Sequence, residues 1–261
     1  MARFVTIGER IHCISPSIRE AMANRDPEPI LKRAREQIAA GATYLDVNIG
    51  PAENGGEELM KWAVRLIQDN CDNHPLCLDT ANSKAIEAGL SVYNPVRGKA
   101  IVNSADAGDR IGNIDLAAAN GAICFALCSK AGVPADNDER MACCQELLER
   151  GMEQGMDPED LWFDPLFLVI KGMQDKQMEV LEFIKMCSDM GFKTTGGLSN
   201  VSNGMPKLIR PIIDSATVAM AMMNGLTSAI VNPCDLRLME TIKSCDVIRG
   251  ETLYADSYLE L

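Results

Sequence analysis

Four residues far apart in the chain share one local setting. Asp79 ends the apolar run Leu76-Cys77-Leu78, and Asn103 follows Ala100-Ile101-Val102. Asp164 follows Leu161-Trp162-Phe163, and Asn200 follows Gly197-Leu198-Ser199. Asn48 and Asn232 close two further runs of the same kind. A short apolar run closed by an acid or an amide reads as a buried strand that delivers a side chain to one end of a sheet. Carboxylates accept hydrogen bonds from ring N–H and amino groups, while amides both donate and accept. Such a set suits a flat, nitrogen-rich heterocycle such as a pterin or purine. It does not suit a phosphoryl group, which calls for Arg, Lys or a glycine-rich helix start, and neither phosphate-binding glycine motif occurs. Taken singly, each residue is an ordinary helix cap or turn former. Capping does not account for the recurrence.

The elements that must position these residues follow from hydrophobic periodicity. Strands are expected at 4–7, 44–47, 76–78, 100–102, 122–127, 161–163, 194–198 and 228–231, each followed by a helical pattern. The helix opened by Pro27 and Pro29 carries Ile30, Leu31, Ala34 and Ile38 at helical spacing and stops at Gly41. Further helices are expected at 17–23, 57–69, 83–93, 114–120, 138–154, 176–190, 211–224 and 235–245. The helix at 57–69 is expected to turn Leu59, Trp62, Ala63 and Leu66 inward, and Asn82 or Ser83 to cap the one at 83–93. The first strand is expected to end before Gly8-Glu9-Arg10. Asp164-Pro165 cannot lie inside a helix, because the residue before proline is pushed out of the α region. About eight strand–helix units of roughly thirty residues define a (β/α)8 TIM barrel, with all strand carboxyl ends at one mouth. The 261 residues fit a single such domain over 1–261. The tail 251–261 is read as a packing or dimer arm.

Composition narrows the function. Hydrophobic residues make up 47% of the chain, enough for a large core, and the formal charge is -12. An acidic chain repels phosphate backbones and anionic lipids, which disfavours nucleic-acid and membrane roles. No run is apolar and long enough to span a bilayer. The 10 scattered cysteines, with no signal peptide ahead of them, are expected to be reduced, buried and cytoplasmic. Cys71, His74 and Cys77 have ligand-like spacing, but they straddle a helix end and a buried strand and lack a fourth partner, so no metal site is assigned. Cys143-Cys144 reads as core or surface thiols on an outer helix. His12 and His74 are the only histidines, so imidazole chemistry is poorly supplied.

Several motifs together resemble one family. Ile7-Gly8-Glu9-Arg10-Ile11, Leu45-Asp46-Val47-Asn48-Ile49-Gly50-Pro51 and Leu76-Cys77-Leu78-Asp79-Thr80-Ala81-Asn82 are similar to segments of methyltetrahydrofolate:corrinoid-protein methyltransferases. So are Ile101-Val102-Asn103-Ser104, Phe163-Asp164-Pro165-Leu166 and Gly197-Leu198-Ser199-Asn200-Val201-Ser202. The resemblance covers essentially the whole chain in motif order and implies a barrel of the pterin-binding type. It implies that Asp79, Asn103 and Asp164 hold the pterin ring and that Asn200 is the catalytic residue beside N5. It further implies that Gly197, Ser199 and Arg210 line the folate site. Residues 203–207 depart from the family pattern, which leaves the role of Asn203 open.

The implied reaction is SN2 transfer of a methyl group between the cobalt of a corrinoid protein and N5 of tetrahydrofolate, in either direction. Tetrahydrofolate or 5-methyltetrahydrofolate is then the substrate. The corrinoid rides on a partner protein that docks over the mouth, because no Asp-x-His-x-x-Gly ligand segment is present. The family also implies a homodimer. Asn200 can donate to N5 but cannot supply a proton, which must come from solvent or from a network including the carboxylates. Three rivals are weighed: a dihydropteroate-synthase-like enzyme, a non-catalytic pterin-binding barrel, and a metal-dependent aldolase or hydrolase. The first needs cations for pyrophosphate displacement, and here the Ser-Thr-Arg-Pro segment is replaced by Asn48-Ile49-Gly50-Pro51.

Overall fold

The computed structural model describes residues 3–260. Eight parallel strands run β1 (Val5–His12), β2 (Tyr44–Asn48), β3 (Leu76–Asp79), β4 (Ile101–Asp106), β5 (Ile123–Leu127), β6 (Leu161–Asp164), β7 (Lys193–Thr194) and β8 (Ser228–Val231). The helices are α1 (Pro16–Asn24), α2 (Pro27–Ala39), α3 (Gly56–Asn70), α4 (Ser83–Leu90), α5 (Asn113–Ala119), α6 (Asn137–Glu153), α7 (Ile170–Met173), α8 (Gln177–Asp189), α9 (Arg210–Met223) and α10 (Leu236–Ile248). Neighbouring strands follow chain order, with β1 also paired to β8. A bridge between Gly197 and Ile230, with the Ile230 N–H donating to the Gly196 carbonyl at 2.9 Å, joins the last gap. The expected (β/α)8 barrel is present.

Strand periodicity sorts the side chains into three cores. Outward residues such as Leu45, Val47, Leu76, Leu78 and Val102 pack under α1–α6, while Ala229 and Val231 pack under α8–α10. Inward residues Val5, Ile7, Tyr44, Cys77, Ile101, Ile123, Phe125, Trp162 and Ile230 fill the barrel itself. Phe125 stacks on Trp162 with centroids 5.8 Å apart, plugging the lower end. One step of two residues further along, the inner face changes character, and it is there that Asp46, Asp79, Asn103 and Asp164 stand.

Two strands depart from simple alternation. β1 does not stop before Gly8; it continues to His12, with one extra residue against β2 between Gly8 and Ile11. Gln37 of α2, fully buried, holds this bulge by accepting the Arg10 N–H at 2.8 Å. Arg10 consequently points outward, donating to Glu36 at 2.8 Å. β4 shifts register in the same way against β5 between Val102 and Ala105. Bulges of this kind re-aim side chains at barrel rims.

The inward face of α3 also differs from expectation. Met60, Ala63, Val64 and Ile67 are buried, whereas Leu59, Trp62 and Leu66 are half-buried. Both sets have helical spacing, and Trp62 is instead covered by the Arg25 guanidinium, 5.2 Å from its ring centroid. The tail packs on its own chain: Lys243 Nζ donates to the Leu259 carbonyl at 2.7 Å, and Ser244 and Tyr258 share a hydrogen bond at 2.8 Å. Leu261 lies outside the described residues.

The Gly8–Gln37 contact yields a stability prediction. A Cβ at position 8 would lie 2.5 Å from Gln37 Oε1 and 3.0 Å from its Cδ. Gln37 cannot withdraw without leaving the Arg10 N–H unpaired. Gly8→Ala should therefore cost about 1–3 kcal/mol in urea unfolding, and an unchanged midpoint would refute this account of the bulge.

Candidate functional site

The carboxyl ends of the strands enclose a cavity of about 480 Å³ lined by Glu9, Asp46, Asn48, Asp79, Ser199, Asn200 and Arg210, together with His12, Ile14, Gly197, Asn203 and Ile230. The volume lies in the range of small-molecule pockets. Of the residues expected from sequence, Asp79, Gly197, Ser199, Asn200 and Arg210 line it directly. Asn103 and Asp164 reach it through neighbours. Asn103 Nδ2 donates to Asp46 Oδ1 at 3.2 Å. Asp164 lies against β7, where a Cβ on Gly196 would be 3.1 Å from its Oδ1, next to Gly197.

Asn200 does not end a strand. β7 is short, and Asn200 sits in the 3₁₀ turn Leu198–Asn200, its N–H donating to the Gly197 carbonyl at 3.2 Å. Its amide folds back over Gly197, where a Cβ would meet Nδ2 at 3.0 Å. Two consecutive glycines thus give the backbone clearance against which Asp164 and Asn200 rest.

Each acid is held by neutral donors. Asn48 Nδ2 donates to Asp79 Oδ2 at 2.5 Å, and the Leu166 N–H donates to Asp164 Oδ1 at 2.8 Å. Ser199 Oγ donates to Glu9 Oε2 at 2.8 Å. Behind Asp164 the fully buried Arg140 donates from Nε to the Pro165 carbonyl at 3.1 Å, fixing the turn that follows. Thr80 Oγ1 donates to the Gly50 carbonyl at 2.6 Å and Asn82 Nδ2 to the Ala52 carbonyl at 2.9 Å, tying the loop after β2 to β3. Asn82 also caps α4, as expected.

The electrostatics follow from this packing. Burial pushes the Asp79 carboxyl up to about 6, against the opposing effects of Asn48 and Arg110. Burial pushes Asp164 up to about 7, opposed by the Leu166 N–H. Asp46 is raised well above the usual carboxylate range by burial and then by the Asp79 charge beside it. Glu9 is raised by burial, with Ser199 pulling the other way. Desolvation raises all four acids, and a neighbouring carboxylate adds to it at Asp46 and at Glu9, where the neighbour is Asp214.

Glu9, His12, Asp46 and Asn48 complete the site without having been singled out as functional. An acid in the middle of an otherwise apolar parallel strand was the available signal for Asp46. His12 depends on the β1 bulge, for which the local sequence gives no sign, while Glu9, in phase with Ile7, lies on a part of β1 beyond its expected end. Arg210 donates from Nε to Ser202 Oγ at 3.2 Å, between this cavity and a second one of about 270 Å³ that also contains Lys207, Asp214 and Asn232. The motif Cys71, His74, Cys77 is split by β3: Cys77 faces the barrel interior and Cys71 packs against the outer core. Among the described residues no three His, Cys, Asp or Glu side chains group closely enough to hold a metal ion.

With this geometry in hand, comparison with known proteins is informative. The pterin binding enzyme family matches residues 14–232, and the chain belongs to that family. It is therefore a barrel of the pterin-binding enzyme family. It is 24% identical over 97% of its length to the methylcorrinoid:tetrahydrofolate methyltransferase of Eubacterium limosum, covering 94% of that protein. It is 26% identical over 87% of its length to the methionine synthase of Mycobacterium leprae, of which it spans 20%. In fold it is similar to Yersinia pestis DHPS with a pterine-sulfa conjugate, with a TM-score of 0.71 and 18% identity over 95% of both chains. The dihydropteroate synthase of Xanthomonas albilineans with 4-aminobenzoic acid gives a TM-score of 0.74 at 16% identity, over 95% of this chain and 94% of that one.

The raised Asp164 carboxyl makes a pH prediction. Its folded-state value of about 7 exceeds the ordinary 3.8, so the native chain keeps a proton that the unfolded chain has released. The associated stability is present below 3.8 and is lost as pH rises through about 7. Asp164→Asn, which keeps an acceptor for Leu166, should therefore raise Tm relative to the parent more at about pH 8 than at about pH 4. Equal differences at the two pH values would contradict the assignment.

Proposed function

We propose that this chain is a methyltransferase that moves a methyl group between the cobalt of a corrinoid protein and N5 of tetrahydrofolate. The observation that carries the reading is the composition of the 480 Å³ cavity: acids and amides fixed by neutral donors, with Arg210 the one cation lining it. A pterin presents a ring N–H and an amino group along one edge. Asp79, Asn103 and Asp164 would hold that edge, the carboxylates accepting and the amide matching the remaining ring acceptor. Gly197 and Ser199 would line the ring, and Arg210 the anionic folate tail. Asn200 would donate to N5. The relative from Eubacterium limosum supports the same substrates, and a lining in which Arg210 stands alone among acids and amides, with no cluster of cations among the described residues, speaks against pyrophosphate displacement.

The transfer is an in-line displacement in which the protein's main contribution is positioning. Accepting a methyl group, N5 attacks with its lone pair. Giving one up, N5 must be protonated or strongly hydrogen-bonded, because a neutral tertiary amine leaves poorly. The methylcorrinoid is a substrate, carried by a partner that covers the open mouth. The same reading makes the chain a single-domain cytoplasmic homodimer. Support for the compartment is the ten free cysteines, typical of a reducing environment. No helix among the described residues is long and apolar enough to cross a membrane.

Mixing the protein with a methyl-Co(III) corrinoid and tetrahydrofolate should generate Co(I), seen by its absorbance; folate binding without Co(I) would instead identify a pterin-binding barrel that does no chemistry. Asn200→Ala should lower kcat by about tenfold to a hundredfold, the value of one hydrogen bond that strengthens in the transition state. Its tetrahydrofolate affinity should stay within about threefold; a rise in KM alone would reduce Asn200 to a binding contact.

A further inference from the structure

We propose that His12 is the base that takes the N5 proton when tetrahydrofolate is methylated, an inference that rests on the reaction assigned above. The bulge in β1 is the structural reason. Glu9 stays in phase with Ile7, whose partner on β2 is Tyr44 of the inner core; after the extra residue, His12 pairs with Asn48 and returns to the inner face. Asn48 in turn pairs with Asp79. The imidazole therefore stands in one row with Asn48 and Asp79 across three adjacent strands. Without the extra residue the alternation would carry it to the outer face.

Its hydrogen bonding leaves one nitrogen for a ligand. Nδ1 is buried with no partner. Among the described residues no side-chain hydrogen bond involves Nε2, and it is not among the buried unpaired atoms, so it is accessible, on a residue that lines the cavity. The position is also right. Asp79, Asn103 and Asp164 lie on β3, β4 and β6, one side of the rim. A pterin gripped there by its amide edge turns its reduced ring, with N5, toward the arc of β7, β8 and β1. Asn200 and His12 stand on that arc.

Chemistry singles out the imidazole. The amide of Asn200 and the hydroxyl of Ser199 do not take up a proton near neutral pH, and Arg210 does not release one. The charged groups facing His12 are Glu9 on its own strand, Asp46 on β2, Asp79 on β3 and Arg210 on α9; Arg19 of α1 acts on the adjacent Cys13, and β8 and α2 bring no charge to this cavity. Asp79 and Asp164 stand on the side of the rim that grips the amide edge, away from N5, while Asp46 is engaged by Asn103 and Glu9 by Ser199. Burial lowers His12 below its ordinary 6.5, which keeps it neutral and ready to accept at neutral pH. In the step itself the N5 lone pair forms the N–CH₃ bond. The Co–C bond breaks with both electrons remaining on the metal, Co(III) becoming Co(I), and the N5–H proton passes to His12 Nε2. In the reverse direction His12 returns that proton.

The test uses the intact chain with a methyl-Co(III) corrinoid and tetrahydrofolate. In the parent, kcat should rise with pH through one ionisation below 6.5 and then level off. His12→Asn and His12→Gln should lose that limb, fall at least about tenfold in kcat with KM unchanged, and recover with added imidazole. Independently of turnover, NMR of the two histidines, assigned with the variants, should show the His12 ring signal moving when tetrahydrofolate binds. Variants that keep the acid limb, or that change only KM, would overturn the role of His12 while leaving the methyl-transfer reading intact. A parent protein that shows no heat with tetrahydrofolate in calorimetry would overturn both.

Discussion

Carboxyl groups crowded at the end of a closed barrel are costly, and the rest of this structure is arranged around tolerating them. Desolvating an ion costs several kcal/mol even after relaxation, and like charges nearby add to that. Among the described residues none of these acids is held by a salt bridge. Asp79, Asp164 and Glu9 each receive one neutral donor, from Asn48, the Leu166 backbone and Ser199 respectively. One oxygen of each is engaged and the other is left for a ligand. A cation in direct contact would have fixed these acids in their charged state. Neutral donors hold the geometry and leave an unmet demand for hydrogen bonds, which a pterin can satisfy.

Such a rim needs a rigid support, and the inner core provides it. Phe125, Trp162, Tyr44 and the aliphatic residues around them close the lower end, so a ligand enters from the strand carboxyl ends alone. The outer cores then clamp the strands from behind. Buried polar side chains reach from helices to loops at specific points: Gln37 to the β1 bulge and Arg140 to the turn after Asp164. Each satisfies a backbone group that bulging or turning has removed from the sheet ladder, as buried backbone groups require.

How much of this could be read from the sequence depended on how local the cause was. Asp79 and Asp164 each sit at the end of an apolar run, where alternation alone sends the side chain inward. The eight strand–helix units were legible for the same reason, and β8 lies where its four apolar-run residues placed it. Glu9 and His12 were not legible as site residues. Glu9 lies beyond the expected end of β1, and the orientation of His12 is decided by one extra residue in that strand, stabilised by Gln37 nearly thirty positions away. The interior stripe of α3 was read in part, because two overlapping sets of apolar residues have helical spacing: Ala63 is buried as expected, Leu59, Trp62 and Leu66 pack at the edge of the core, and Met60 and Val64 lie deeper, against Gly89 of α4. Asn200 was found, but as a strand end; the shortness of β7 moves it into a turn.

That shortness has a consequence of its own. The hoop of hydrogen bonds around the barrel is thinnest between β7 and β8, where a single bridge at Gly197 and Ile230 is reinforced below by the Thr227 and Ser228 side chains on the Thr194 backbone. Any breathing of the cylinder concentrates at its weakest stave, and this stave carries Gly197, Ser199 and Asn200. The strands that carry Asp79, Asn103 and Asp164 would then stay still while the turn that carries Asn200 can adjust, a division of labour written into how unevenly the ring is laced.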